Sequence, residues 1–203
     1  MRWMLALLLL PLFAAEQQPQ VFYSKSFPGS APPYVEIHLD RAGNCEYKEA
    51  PDDDQPLKFQ LNAPDTNEIF SLVDKLGRFS RPLESPLKVA FMGTKTYRFE
   101  NGAEKHEVKF NFSEDLDARQ LQDWFERIAE TEQRLIYLER EAKYDKLGVN
   151  NALLLLQSSF DHKRLVAPQQ FLPMLDRVVK NESYMHMARE RAAGLADAIR
   201  AAK

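Results

Sequence analysis

The sequence predicts an α+β protein: a small, mainly antiparallel sheet with a packed helix, a long connecting helix and a C-terminal helical region. Three observations carry that prediction. Apolar residues alternate with polar ones in short runs between Tyr34 and Phe112, a helical stripe runs from Ser113 to Lys146, and further helical stripes follow Gly148.

Composition narrows the function before any motif does. With 44% hydrophobic and 28% charged residues the chain has the make-up of an ordinary globular protein. Its formal charge is −3, and removal of residues 1–15, which contain only Arg2, leaves 26 basic against 30 acidic side chains. A mildly acidic chain without a basic block does not suit nucleic acid, whose phosphates demand clustered Lys and Arg. Cys45 is the only cysteine, so an internal disulfide, a CxxC redox pair and a cysteine-rich zinc site are excluded. It is expected as a small buried side chain on a strand.

Residues 1–15, MRWMLALLLLPLFAA, place one positive charge before an apolar run from Trp3 to Phe13 and end in small residues. This is the layout of a secretory signal peptide, and the run is short for a membrane span. Cleavage is expected near Ala14 or Ala15, with the mature protein exported to the periplasm or secreted. An uncleaved segment would instead make a membrane anchor or a buried N-terminal helix. Residues 16–33 are rich in Gln, Pro and Ser and read as a linker, with Val21 to Tyr23 laid along a sheet edge.

Residues 34–112 are expected to form a sheet-plus-helix domain. Val35, Ile37 and Leu39 alternate with Glu36 and His38, a turn follows at Asp40 to Asn44, and Cys45 and Tyr47 resume the alternation. Leu57, Phe59 and Leu61 make a further strand. A helix capped by Asp65 or Thr66, with Glu68 completing a capping box, has Ile69, Leu72, Val73 and Leu76 on one face and stops at Gly77. Leu87 to Phe91 reads as a short strand after Pro82 and Pro86. Thr94 to Glu100 and Ala103 to Phe112 form a hairpin about Asn101-Gly102.

The long helix, residues 113–147, begins near Ser113, where Glu114, Asp115 and Asp117 face its positive end. Leu121, Ile128, Leu135 and Ala142 recur every seventh residue, with Trp124 and Leu138 between them. Thr131 interrupts the stripe. That break predicts two differently employed halves, the first packing on the sheet through Leu121, Trp124, Phe125 and Ile128, the second on later helices through Leu135, Ile136 and Leu138. Residues 148–203 read as helices whose stripes include Leu153 and Leu156, then Phe171, Leu175 and Val178, then Met185, Ala188, Ala192, Leu195 and Ile199. Leu154 and Leu155 widen the first stripe and suggest a central helix.

Two resemblances appear on these residues. The block from Tyr34 to Ile128, with GTKTYRFENG, EVKFNFS and LQDWFERI, resembles an uncharacterised family of exported bacterial α+β domains, which implies a fold and a compartment and no catalytic residue. The segment Phe171 to Arg200 is similar to a single HEAT-type helical repeat. A solenoid needs several copies, so the segment is expected to pack as a helical appendage.

No catalytic motif is complete. Gly93-Thr94-Lys95-Thr96 lacks the full phosphate loop and precedes a strand. Asp52-Asp53-Asp54 lacks the spacing of a calcium loop. G-x-S-x-G is missing, Ser158-Ser159 lies on an apolar helix, and the sequons at Asn111 and Asn181 match a short pattern that arises by chance. The metal candidates are His38 with Glu36 and His106 with Glu104, each pair spaced i, i+2 on one strand face; adjacent strands would bring all four together. The sequence therefore points to an exported, non-catalytic protein-interaction or scaffolding module without a cofactor, whose partner is another protein. The alternative is a metal-assisted hydrolase using those strand His and Glu residues.

Overall fold

The computed structural model describes residues 18–202, so the signal-peptide reading of residues 1–15 lies outside the described residues. The strands are β1 Gln20–Ser26, β2 Tyr34–Asp40, β3 Asn44–Lys48, β4 Leu57–Gln60, β5 Thr94–Asn101 and β6 Glu104–Phe110. They form one antiparallel sheet in the order β4-β3-β2-β1-β5-β6. The helices are α1 Ala63–Lys75, α2 Leu116–Tyr144, α3 Val149–Asp161, α4 Leu172–Lys180 and α5 His186–Ala201. This is an α+β fold with a long helix and C-terminal helices.

The linker expected at 16–33 is corrected by β1, which is central and not an edge. It pairs along its whole length with β2 on one side and β5 on the other. Val21 and Tyr23 point into the core while Phe22 stays half-exposed on the other face. The other departures are local. Asn62 caps α1, its Oδ1 accepting from the Asp65 N–H at 2.8 Å, because Pro64 fills the first turn. Glu68 accepts instead from the Trp124 indole at 3.2 Å, tying α1 to α2. The hairpin turn is Gly102-Ala103, with Gly102 at φ 59° and Asn101 opposite Glu104 in the ladder. Residues 87–91 form no strand; they lie in an exposed irregular segment described below. In α3, Leu154 and Leu155 are 43% and 36% exposed, so that helix lies at the side of its bundle, not at the centre.

Register assigns the sheet's two faces. Val21, Tyr23, Ile37, Leu39, Cys45, Tyr47, Tyr97 and Phe99 share the face that α1 and α2 cover, and Tyr23 stacks on Phe125 of α2 with 4.7 Å between ring centroids. The opposite face carries Phe22, Glu36, His38, Arg98 and Glu107.

The long helix starts at Leu116 rather than Ser113, capped by the Asp115 carboxylate, which accepts from the N–H groups of Asp117 and Ala118. It has the two halves that Thr131 marks. Leu121, Trp124, Phe125 and Ile128 belong to the core over the sheet, while Leu138 and Ala142 belong to a second core with α3, α4 and α5. Ile136, expected with the later helices, packs against the first core because it projects from the sheet side of the helix.

Thr131 is fully buried where the cores meet. Its hydroxyl donates to Arg127 O at 2.8 Å and accepts from Val166 N at 3.0 Å. Leu165 enters the helical core and its neighbour Val166 enters the sheet core, so one stretch of the α3–α4 connection stitches both. Arg164 fastens the same stretch through Glu130 at 3.1 Å and Asp123 at 2.6 Å. A Thr131→Val substitution keeps the shape and leaves the buried Val166 N–H without an acceptor. It is expected to cost about 1–3 kcal/mol, read as a lowered urea midpoint at unchanged slope.

Candidate functional site

The four metal candidates do not converge. Strands β2 and β6 are separated by β1 and β5, a distance of about 14 Å at ordinary strand spacing. They also face apart: His38 sits across from Phe22, then Arg98, then Glu107, whereas His106 sits across from Phe99, then Val21, then Leu39. His38 and Glu36 lie on the face without helices, and His106 and Glu104 at the rim of the helix-covered face. Among the described residues no group of three or more His, Cys, Asp and Glu side chains is arranged to hold a metal.

Each pair has a local role. Glu36 accepts from the Tyr34 hydroxyl, meets His38 Nε2 at 2.9 Å and stands 3.7 Å from Lys48 Nζ. Burial opposes its charge, but the Tyr34, His38 and Lys48 partners prevail and hold the carboxyl below its ordinary range. Beside it, Arg98 lies 3.9 Å over the Phe22 ring and 2.9 Å from Glu100. Glu104 takes Arg78 at 3.1 Å. The carboxylate–imidazole contact could orient a general base, but no nucleophile or oxyanion-binding pair stands with it among the described residues.

Cys45 is buried, and its thiol is pushed up by burial and then by Glu132, which makes it an inert core group. Lys95 is also on the covered face, its ammonium donating to Asn111 O at 2.6 Å, so it serves the strand end and not a phosphate.

Two features escaped sequence reasoning. The first is Glu132, fully buried beside Thr131 on α2. Its Oε1 accepts from Gln170 Nε2 at 2.9 Å and its Oε2 has no partner. A signal existed: Glu132 occupies a place on the helical stripe, four residues after Ile128 and three before Leu135, where an apolar side chain is expected.

The second is the irregular segment 86–93. Ser85 N donates to Phe112 O at 2.8 Å, and the Asn111 side chain both accepts from Met92 N at 2.7 Å and donates to Ala90 O at 3.0 Å. Gly93 closes the segment at φ 95°, where an added Cβ would come within 2.8 Å of Phe27 Cβ. Between these clamps Leu87, Val89, Phe91 and Met92 are 54%, 40%, 57% and 43% exposed. Strand-like composition at 87–91 was legible, but not that Asn111 would hold the segment by side-chain bonds and leave its apolar residues outward.

No family model matches the chain, and no curated protein matches it. Among the described residues no helix is long and apolar enough to cross a membrane.

Burial, with a lesser contribution from Glu139, raises the Glu132 pKa from 4.5 to about 7, against the opposing Gln170 bond. The folded state thus holds this proton more tightly than the unfolded chain. The stabilisation is fully present below pH 4.5 and is lost as pH rises through about 7; its size is about 3 kcal/mol. Glu132→Gln should remove this loss: equal stability to the parent near the acid limit and greater stability at alkaline pH, measured by urea unfolding across the range.

Proposed function

We propose that the protein is an exported, non-catalytic interaction module that docks a partner protein through the segment 86–93. The observation that carries this reading is the ordered, outward display of Leu87, Val89, Phe91 and Met92 on a backbone already clamped by Asn111. Exposed clusters of large apolar side chains favour interfaces, and aromatic and Met side chains are enriched there. A pre-ordered backbone also lowers the entropy lost on binding. The partner that suits the segment is a protein with an apolar groove able to take Phe91 and Leu87. Export is supported by the apolar run Trp3 to Phe13 and by the resemblance of residues 34–128 to exported domains.

A photo-cross-linking residue at position 91 should join the protein, in its native envelope, to one partner protein that position 58 on the far edge strand does not reach. With both proteins purified, Leu87→Asp and Met92→Asp should weaken binding by about 2 kcal/mol or more. Adducts with lipid or with the chain itself alone, or equal labelling at both positions, would overturn the reading. For export, the mass of the protein recovered from its native host should lack residues 1–14 or 1–15; an intact N-terminus in the membrane fraction would replace the soluble form by an anchored one.

A further inference from the structure

A cleft of about 290 Å³ opens between α2 and the β1–β2 connection, bounded by Tyr23, Lys25, Pro32, Val35, Glu126 and Ala129. Tyr23 is 1% exposed, its ring is fixed by stacking on Phe125, and its Oη has no hydrogen-bond partner. The other buried tyrosine hydroxyls are all satisfied: Tyr47 by Glu49, Tyr97 by Ala118 O and Tyr184 by Ala142 O. An unpaired buried hydroxyl is destabilising, and this one, covered from solvent on a ring that lines the cleft, would gain a hydrogen bond from a ligand atom that reached it through a small opening of the lining. Burial and the nearby Glu126 keep the phenol protonated, and it is therefore a donor.

The charged groups at the cleft are incompletely paired. Lys25 Nζ stands 3.6 Å from Glu126 Oε1, beyond hydrogen-bond length, and both side chains are about a third exposed, at 32% and 37%. That Oε1 accepts from Gln122 Nε2 at 2.8 Å, so Oε2 is the carboxylate oxygen left to a ligand. Glu130, one turn further along α2, is already committed to Ser159 and Arg164. What remains is an ammonium and a hydroxyl donor from β1, a carboxylate from α2, and an apolar lining from Pro32, Val35 and Ala129.

From this pattern we propose that the cleft binds a free α-amino acid with a small apolar side chain. Its carboxylate lies between Lys25 Nζ and Tyr23 Oη, its ammonium on Glu126, and its side chain against Pro32, Val35 and Ala129. The volume is at the lower end for ligand pockets, which suits a molecule of this size and not a nucleotide. A lone anion would meet Glu126, and a lone cation would meet Lys25; a zwitterion satisfies both.

The test is isothermal titration of the full chain with L-valine as probe, beside L-valinamide, which stands for a peptide N-terminus, and N-acetyl-L-valine, which stands for a C-terminus. Saturable binding of valine is expected, with each derivative weaker by about tenfold or more, as expected for loss of one charged hydrogen-bonding partner. Tyr23→Phe, which removes an oxygen that bonds to nothing in the protein, and Lys25→Met should each weaken valine binding by a similar factor with unchanged circular dichroism. Absence of saturable binding at millimolar valine, equal binding of either derivative, or full binding by both variants would overturn the proposal.

Discussion

The structure depends on one helix having to bury a single stripe against two unlike neighbours. At 29 residues, α2 is about 44 Å long, more than a small sheet can cover. Its first half is held by aromatic packing with Tyr23 and Tyr97 and by the Trp124–Glu68 bond, its second by the aliphatic side chains of α3, α4 and α5. A continuous apolar stripe would have left the buried Val166 N–H without an acceptor where the chain crosses the helix. Thr131 supplies that partner, and the Arg164 contacts to Glu130 and Asp123 secure it from outside. The stripe's interruption is thus the price of joining two cores through one chain crossing.

The sheet has a comparable division of labour. One face is closed by α1 and α2 and is apolar at its centre, with Lys95 buried where its ammonium reaches Asn111 O and with Lys25, His106 and Glu104 at its margins. The other is left to side chains: Tyr34 and His38 contact Glu36 along β2, Lys48 reaches it from β3, and Arg98 of β5 lies over Phe22 of β1. Cross-strand pairs of this type stabilise a sheet without a covering layer. The proposed docking segment and the cleft both adjoin the β1–β2 connection. Phe91 meets Phe27 edge-on at 5.9 Å, and Phe27 O accepts from Ser30 beside the cleft.

Much of this was legible before the fold was known. The period-two runs at Val35 to Leu39 and Cys45 to Tyr47, the hairpin of β5 and β6 and the stripe of the long helix each follow from local rules, and the structure has them, with the hairpin turn one residue later than expected. The misreadings share a cause. Residues 20–26, flanked by Pro and Gln, carry too short an alternation to announce a central strand; their place comes from ladders with the next strand, β2, on one side and with the distant β5 on the other. Leu87 to Phe91 looked like a strand because composition cannot tell whether a partner edge is available. The candidate site was less legible still, since Tyr23, Lys25 and Glu126 are brought together only by register and helix docking.

What the sequence determined by itself is therefore the kind and order of most elements, the division of α2 at Thr131, and the lack of any complete catalytic motif. Periodicity, caps and turn residues act over a few neighbouring positions, and the amino acids alone display them. Tertiary structure decided the rest. Strand order put His38 and His106 on opposite faces with two strands between them, packing buried Glu132, and the ring of Tyr23 was fixed where its hydroxyl finds no partner. Each of these depends on which distant segments become neighbours, and that is set by how the apolar faces close on one another as a whole.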